Sequence, residues 1–261
     1  MKRIWMLGWW TIMLMFVAGC VKTPGEDVPP QLSLAPGPGV ALAAEKTPGS
    51  SDASEQINSE NDGRVTLAEG FYYTELSDAV KERITGKSYP EEEKDSRLSY
   101  DTLRYLRIMH YDFSGNVQEG ELIVHKDLAK EVLDIFRELY KAKYPLASVR
   151  LVDDFNANDE ASTEANNTSG FNYRFVAGTK SRSLHSYGMA IDVNPLFNPY
   201  VKGNNVDPDS AAIYADRSKD FPGKINKEDL CYKLFDEHGW EWGGDWKTVK
   251  DYQHFSKELK K

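Results

Sequence analysis

Two histidines and two aspartates stand out in this chain for their surroundings and spacing. The run Ser183-Leu184-His185-Ser186-Tyr187-Gly188-Met189-Ala190-Ile191-Asp192 sets an imidazole and a carboxylate seven positions apart, with a glycine between them. On one straight strand that spacing would separate the side chains by roughly 23 Å, at about 3.3 Å per residue, and turn them to opposite faces. A chain reversal at Gly188, a residue that tolerates conformations others avoid, returns His185 toward Asp192. Beyond the bend Ala190 and Asp192 share one strand face, while Met189, Ile191 and Val193 fill the other. A second cluster, Gly239-Trp240-Glu241-Trp242-Gly243-Gly244-Asp245-Trp246 followed by Asp251-Tyr252-Gln253-His254-Phe255, adds a third candidate ligand and a spare carboxylate. Two imidazoles and one carboxylate around Zn²⁺ leave about one positive charge and an open coordination position, the usual arrangement of catalytic rather than structural zinc. Such an ion polarises a carbonyl and makes bound water more acidic. Its chemistry still needs a base, for which Asp251 is the candidate. Asp251 lies three residues before His254, an odd spacing that opposes the two on a regular strand, so a loop must precede His254.

The elements that must hold these groups read as an irregular alternation of strands and helices, which implies an α+β fold. Leu76 to Ile84 reads as a short helix, Thr102 to Phe113 as extended chain, and Glu121 to His125 as a strand. A helix follows from about Lys126 to Lys143, with Leu128, Val132, Ile135, Phe136 and Leu139 at helical spacing and Pro145 as its stop. Val149 to Val152 reads as another strand, and the polar stretch Asp153 to Gly170 as a surface loop. A second helix is expected to start with Asn226 as its cap, bury Leu230, Leu234 and Phe235, and end at Gly239. Trp240, Trp242 and Trp246 are expected to pack beneath the site.

At 261 residues the chain has room for one such domain plus appendages. With 40% hydrophobic and 12% aromatic residues it can build a core, and its net charge of −9 provides no basic stripe for nucleic acid. Met1 to Arg3 supply a basic start, and Ile4 to Gly19 an apolar run ending in Val17-Ala18-Gly19-Cys20. Sixteen residues of helix reach roughly 24 Å, short of the about 30 Å hydrocarbon core of a bilayer, so a cleaved signal peptide is expected over 1–19. The small residues before Cys20 resemble the lipobox of bacterial lipoproteins, which implies cleavage there, lipidation of Cys20, and a body anchored outside the cytoplasm. Residues 20–70, rich in Pro, Gly and Ser, read as a flexible tether, and 71–261 as the folded domain. Cys231 is then left as a small buried hydrophobe.

The pattern Ser-x-His-x-x-Gly-x-Ala-x-Asp over Ser183 to Asp192, with Trp-x-Gly-Gly-Asp-Trp and Asp-x-x-His-Phe after it, resembles the VanY-like D-alanyl-D-alanine carboxypeptidases and their L-alanyl-D-glutamate endopeptidase relatives. The likeness takes in Phe171-Asn172-Tyr173-Arg174 and Asn194-Pro195 as well. It implies a small antiparallel sheet flanked by helices with a zinc site on the sheet, and hydrolysis of a bond in peptidoglycan stem peptides. By the same resemblance His185, Asp192 and His254 hold zinc, Asp251 is the general base, Arg174 holds the substrate or the developing oxyanion, and Ser183 lines the cleft. The carboxypeptidase pattern usually has Glu at the base position. Asp251 is one methylene shorter, as in endopeptidase members. The superfamily also contains hedgehog-type domains that act by binding, so a non-catalytic wall-binding lipoprotein is the alternative of a different class. His110, His125 and His238 receive no chemical role.

Overall fold

A computed structural model describes residues 58–59, 63–92 and 95–259. The expected signal peptide, Cys20 and most of the 20–70 segment lie outside these residues. In chain order the strands and helices are β1 (Asn58–Ser59), β2 (Val65–Ala68), β3 (Phe71–Thr74), α1 (Asp78–Ile84), β4 (Leu103–Tyr111) and β5 (Val117–His125). They continue with α2 (Ala129–Lys141), β6 (Ser148–Val149), α3 (Asp159–Glu164), β7 (Asn167–Thr168), β8 (Ala190–Asp192), β9 (Tyr200–Lys202) and β10 (Asn205–Asp207). The last are α4 (Leu230–Glu237), β11 (Glu241–Trp242), β12 (Lys250–Asp251) and β13 (His254–Ser256). The fold is α+β, as expected. β1 to β5 form one antiparallel sheet in sequential order, and two three-stranded antiparallel sheets follow, β10-β9-β12 and β11-β13-β8. Sheet pairing reaches back ahead of Phe71, because Val65 and Thr66 of β2 lie opposite Tyr73 and Tyr72 of β3.

The β4–β5 hairpin is the frame. Its register runs unbroken from Leu103 opposite His125 to Tyr111 opposite Val117. The turn is closed by Asp112, whose Oδ1 accepts from the backbone N–H of Ser114 and Asn116 at 2.9 Å. Helix α2 buries Val132, Leu133, Ile135, Phe136 and Leu139 in one core with Leu106 and Ile108 of β4. Ile191, Val193 and Phe255, the inward residues of β8 and β13 and their margin, belong to this same core. Since side chains alternate along a strand, burying these three turns Asp192 and His254 to the other face.

Three local expectations need correction. The strand read from Val149 to Val152 stops at Val149, and Val152 to Phe155 winds into a 3₁₀ turn closed by Asn156 in the left-handed region. The stretch from Asp153 to Gly170 is not a surface loop. Asp153, Ser162 and Asn166 to Ser169 are buried, and Asn167 stitches two segments by accepting from the Arg150 N–H at 2.9 Å and donating to the Arg150 carbonyl at 3.0 Å. A side-chain amide that completes backbone bonds is as settled inside as an apolar group. Helix α4 is capped by Asp229, which accepts from the Cys231 N–H at 2.8 Å, while Asn226 makes the turn ahead of it. Phe235 and Cys231 are buried and Leu230 is exposed. No helix among the described residues is long and apolar enough to cross a membrane.

Candidate metal centre

His185 rides on a short 3₁₀ turn, Leu184–Tyr187, begun by Ser183, whose hydroxyl accepts from the His185 N–H at 3.3 Å. Gly188 ends the turn at φ +66°, where the chain reverses as its position between His185 and Asp192 suggested. The reversal is tight. A Cβ at Gly188 would lie 2.4 Å from the His125 nitrogen, and the Gly188 carbonyl accepts from that same N–H at 2.8 Å. β8 then runs antiparallel to β13 with Asp192 directly opposite His254. A turn through Tyr252 and Gln253 precedes β13, which is the break that the Asp251–His254 spacing requires.

Ligand atoms of His185, Asp192 and His254 lie within 4.8 Å of one another. Nδ1 of His185 donates to the Gly170 carbonyl at 2.6 Å, which leaves its Nε2 facing Nδ1 of His254 at 3.2 Å. Asp192 completes the group, with Oδ1 3.0 Å from His254 Nδ1 and Oδ2 3.1 Å from His185 Nε2. Ligands about 2.0–2.1 Å from a tetrahedral zinc are roughly 3.3 Å apart, so these separations and this donor set fit a small cation. Burial works against the Asp192 charge, yet the two imidazoles hold its carboxyl far below the usual carboxylate range. Burial likewise opposes a charged His254, and the hydrogen bond and charge of Asp192, with Asp251 beyond, raise it nonetheless.

Asp251 stands beside this group. Its Oδ1 is buried without a hydrogen-bond partner, and desolvation pushes the carboxyl up to about 6, with His254 opposing the rise and Asp192 adding to it. Gly243 makes room for it, since a Cβ there would meet the Asp251 carbonyl oxygen at 2.6 Å. Arg174 pairs with Asp159 at 3.0 Å, keeps its buried Nε unpartnered, and its charge is felt at His254. Trp246 leans on His254 with ring centroids 5.3 Å apart. Trp240 and Trp242 are buried in the core behind, Trp242 donating to the Tyr252 carbonyl at 2.9 Å.

Residues 177–257 match the D-alanyl-D-alanine carboxypeptidase family. That match supports a peptidase, and this family is typically metal-dependent. The matched stretch holds Ser183, His185, Asp192, Asp251 and His254, whereas Arg174 lies just ahead of it. No curated protein and no solved structure matches the chain. Ahead of the matched stretch, Asp159 carries no signal of its own in the sequence, because its neighbours read as a polar loop. Within it, Gln253 had no signal beyond its place next to His254. The other histidines have structural surroundings: His110 Nδ1 is 3.1 Å from the Leu146 carbonyl, and His238 closes α4. Cys231 is free and buried, its thiol pushed well up by desolvation.

Proposed function

We propose that this protein is a zinc peptidase that hydrolyses a stem-peptide bond of peptidoglycan, of the D-Ala-D-Ala carboxypeptidase type. The observation that carries the reading is the convergence of His185, Asp192 and His254 next to the unpartnered Oδ1 of Asp251. Zinc held by those three residues would supply a Lewis acid for the scissile carbonyl and a more acidic water. Asp251 takes the proton from the attacking water and returns it to the leaving amine. Arg174 places its positive charge where the carbonyl oxygen becomes negative, and a preset cation there lowers the barrier without having to reorganise. Ser183 holds the His185 turn and borders the cleft. In this reading Cys20 carries the lipid, residues 20–70 are the tether, and the domain works outside the cytoplasm on a polymer too large to enter.

The test is incubation of the purified protein with muropeptides, with and without chelator, followed by weighing the products. Loss of a terminal D-Ala that chelator abolishes supports the proposal. A cut after L-Ala makes it an endopeptidase of the same family, and substrate left intact points to a wall-binding module.

A further inference from the structure

Arg217 is a partly buried cation that makes no ion pair among the described residues. Burial pulls its guanidinium down to about 10 from an ordinary 12.5, with Tyr252 and Tyr144 opposing the fall. A charge kept inside without a carboxylate costs stability, so what it holds in place matters. Its fork donates to the carbonyls of Phe197 at 2.9 Å, Tyr214 at 3.3 Å and Ile225 at 2.8 Å, and to Oδ1 of Asn198 at 2.9 Å. Its central carbon lies over the Tyr252 ring, 4.4 Å from the centroid.

Both attachments lead to Asp251. Phe197 and Asn198 run into Pro199, whose carbonyl accepts from the Tyr252 N–H at 3.3 Å, and Tyr200, next along, lies opposite Asp251. Asn198 also donates to the Asn194 carbonyl at 3.1 Å, on the chain that leaves Asp192. The metal ligands are secured differently. Ile191 and Phe255 lock β8 and β13 into the core, which places Asp192 and His254 without help from Arg217. Asp251 sits on a strand two residues long, and Oδ1 of its carboxyl has no hydrogen-bond partner. Its place depends on the backbone that carries it, and Tyr252 is the next residue. Resting on the peptidase reading, we propose that Arg217 is a positioning residue that holds the Asp251 carboxylate in place beside the metal centre, acting through the Tyr252 ring and the 197–200 segment. A reacting group displaced by about 1 Å costs on the order of 100-fold in rate.

The experiment uses the full chain with Arg217→Gln, Tyr252→Leu and Tyr252→Phe. It reads zinc content, D-Ala release from muropeptides, and amide hydrogen exchange residue by residue. Arg217→Gln and Tyr252→Leu should lower kcat about 10- to 100-fold while KM and zinc content stay within about twofold. Tyr252→Phe keeps the ring and should keep wild-type kcat. In the first two variants the Tyr252 amide should exchange about tenfold faster, whereas the amides of Asp192 and Lys257, bonded to the Ser169 and Met189 carbonyls, should not change. On an Asp251→Ala background, Arg217→Gln should lower the residual kcat by less than about twofold, because the group it positions is gone. Loss of zinc, or faster exchange at all three amides, overturns the proposal by making Arg217 a general brace of the fold. Unchanged kcat and exchange in both variants overturn it too, as does a full second loss on the Asp251→Ala background. Wild-type protein that hydrolyses nothing overturns the peptidase reading, and faster exchange confined to Tyr252 then still supports the hold of Arg217 on this turn.

Discussion

Asp192 and His254 face each other across two three-residue strands, their side chains 3.0 Å apart although 62 positions separate them in the chain. Ile191 and Phe255, the neighbouring opposed pair, are fully buried in the main core. Core packing therefore sets the register, and the register in turn presents the two ligands. Asp192→Ala should leave the strands paired while lowering zinc affinity by about 100-fold or more, read as metal content after dialysis at fixed free zinc. Full retention of zinc would remove Asp192 from the ligand set.

Asp251→Ala separates base from ligand. The variant should keep stoichiometric zinc and lose hydrolysis by about 10² to 10⁴ in kcat, the range of a missing general base. Loss of metal instead would make Asp251 a ligand.

Arg174→Ala removes a pair with Asp159 in which both side chains are partly exposed, so thermal stability should change little. Turnover should drop by about 100- to 1000-fold if its charge meets the oxyanion. Unchanged kcat would take Arg174 out of the reaction.

Gly188→Ala meets both a backbone nitrogen 2.4 Å from the new Cβ and a φ of +66°. A loss of about 2–4 kcal/mol in denaturant unfolding is expected, together with weaker zinc binding because His185 sits on the same turn. Wild-type stability in this variant would show that the reversal can be remade without glycine.

The same turn is braced from outside by Asp95, which accepts from the Tyr187 hydroxyl at 2.6 Å and from Arg97 at 3.1 Å. Hydrogen bonds from Arg97 and Tyr187 outweigh burial and hold the Asp95 carboxyl at about 2, against an ordinary 3.8. A carboxyl lowered in the folded state stabilises it fully above the ordinary value, and this contribution disappears as pH falls through about 2. Asp95→Asn should therefore be less stable than wild type at neutral pH, with the two unfolding curves converging between pH 3.8 and about 2. A difference that persists undiminished below that window would mean that the ion pair is not its source.

The residue types and their order were enough to single out His185, Asp192 and His254, to require a reversal at Gly188 and a break before His254, and to mark α2 by its apolar stripe. These are local or periodic properties, and backbone geometry translates them directly. Tertiary structure alone decided that the polar stretch after Asp153 goes inside, because Asn167 completes backbone bonds of a segment that only the fold brings beside it. It likewise gathered Asp159, Asp207 and Gln253 around one hollow next to Asp251. Residues without periodicity acquire partners only through long-range packing, so neither their burial nor their neighbours could be read along the chain.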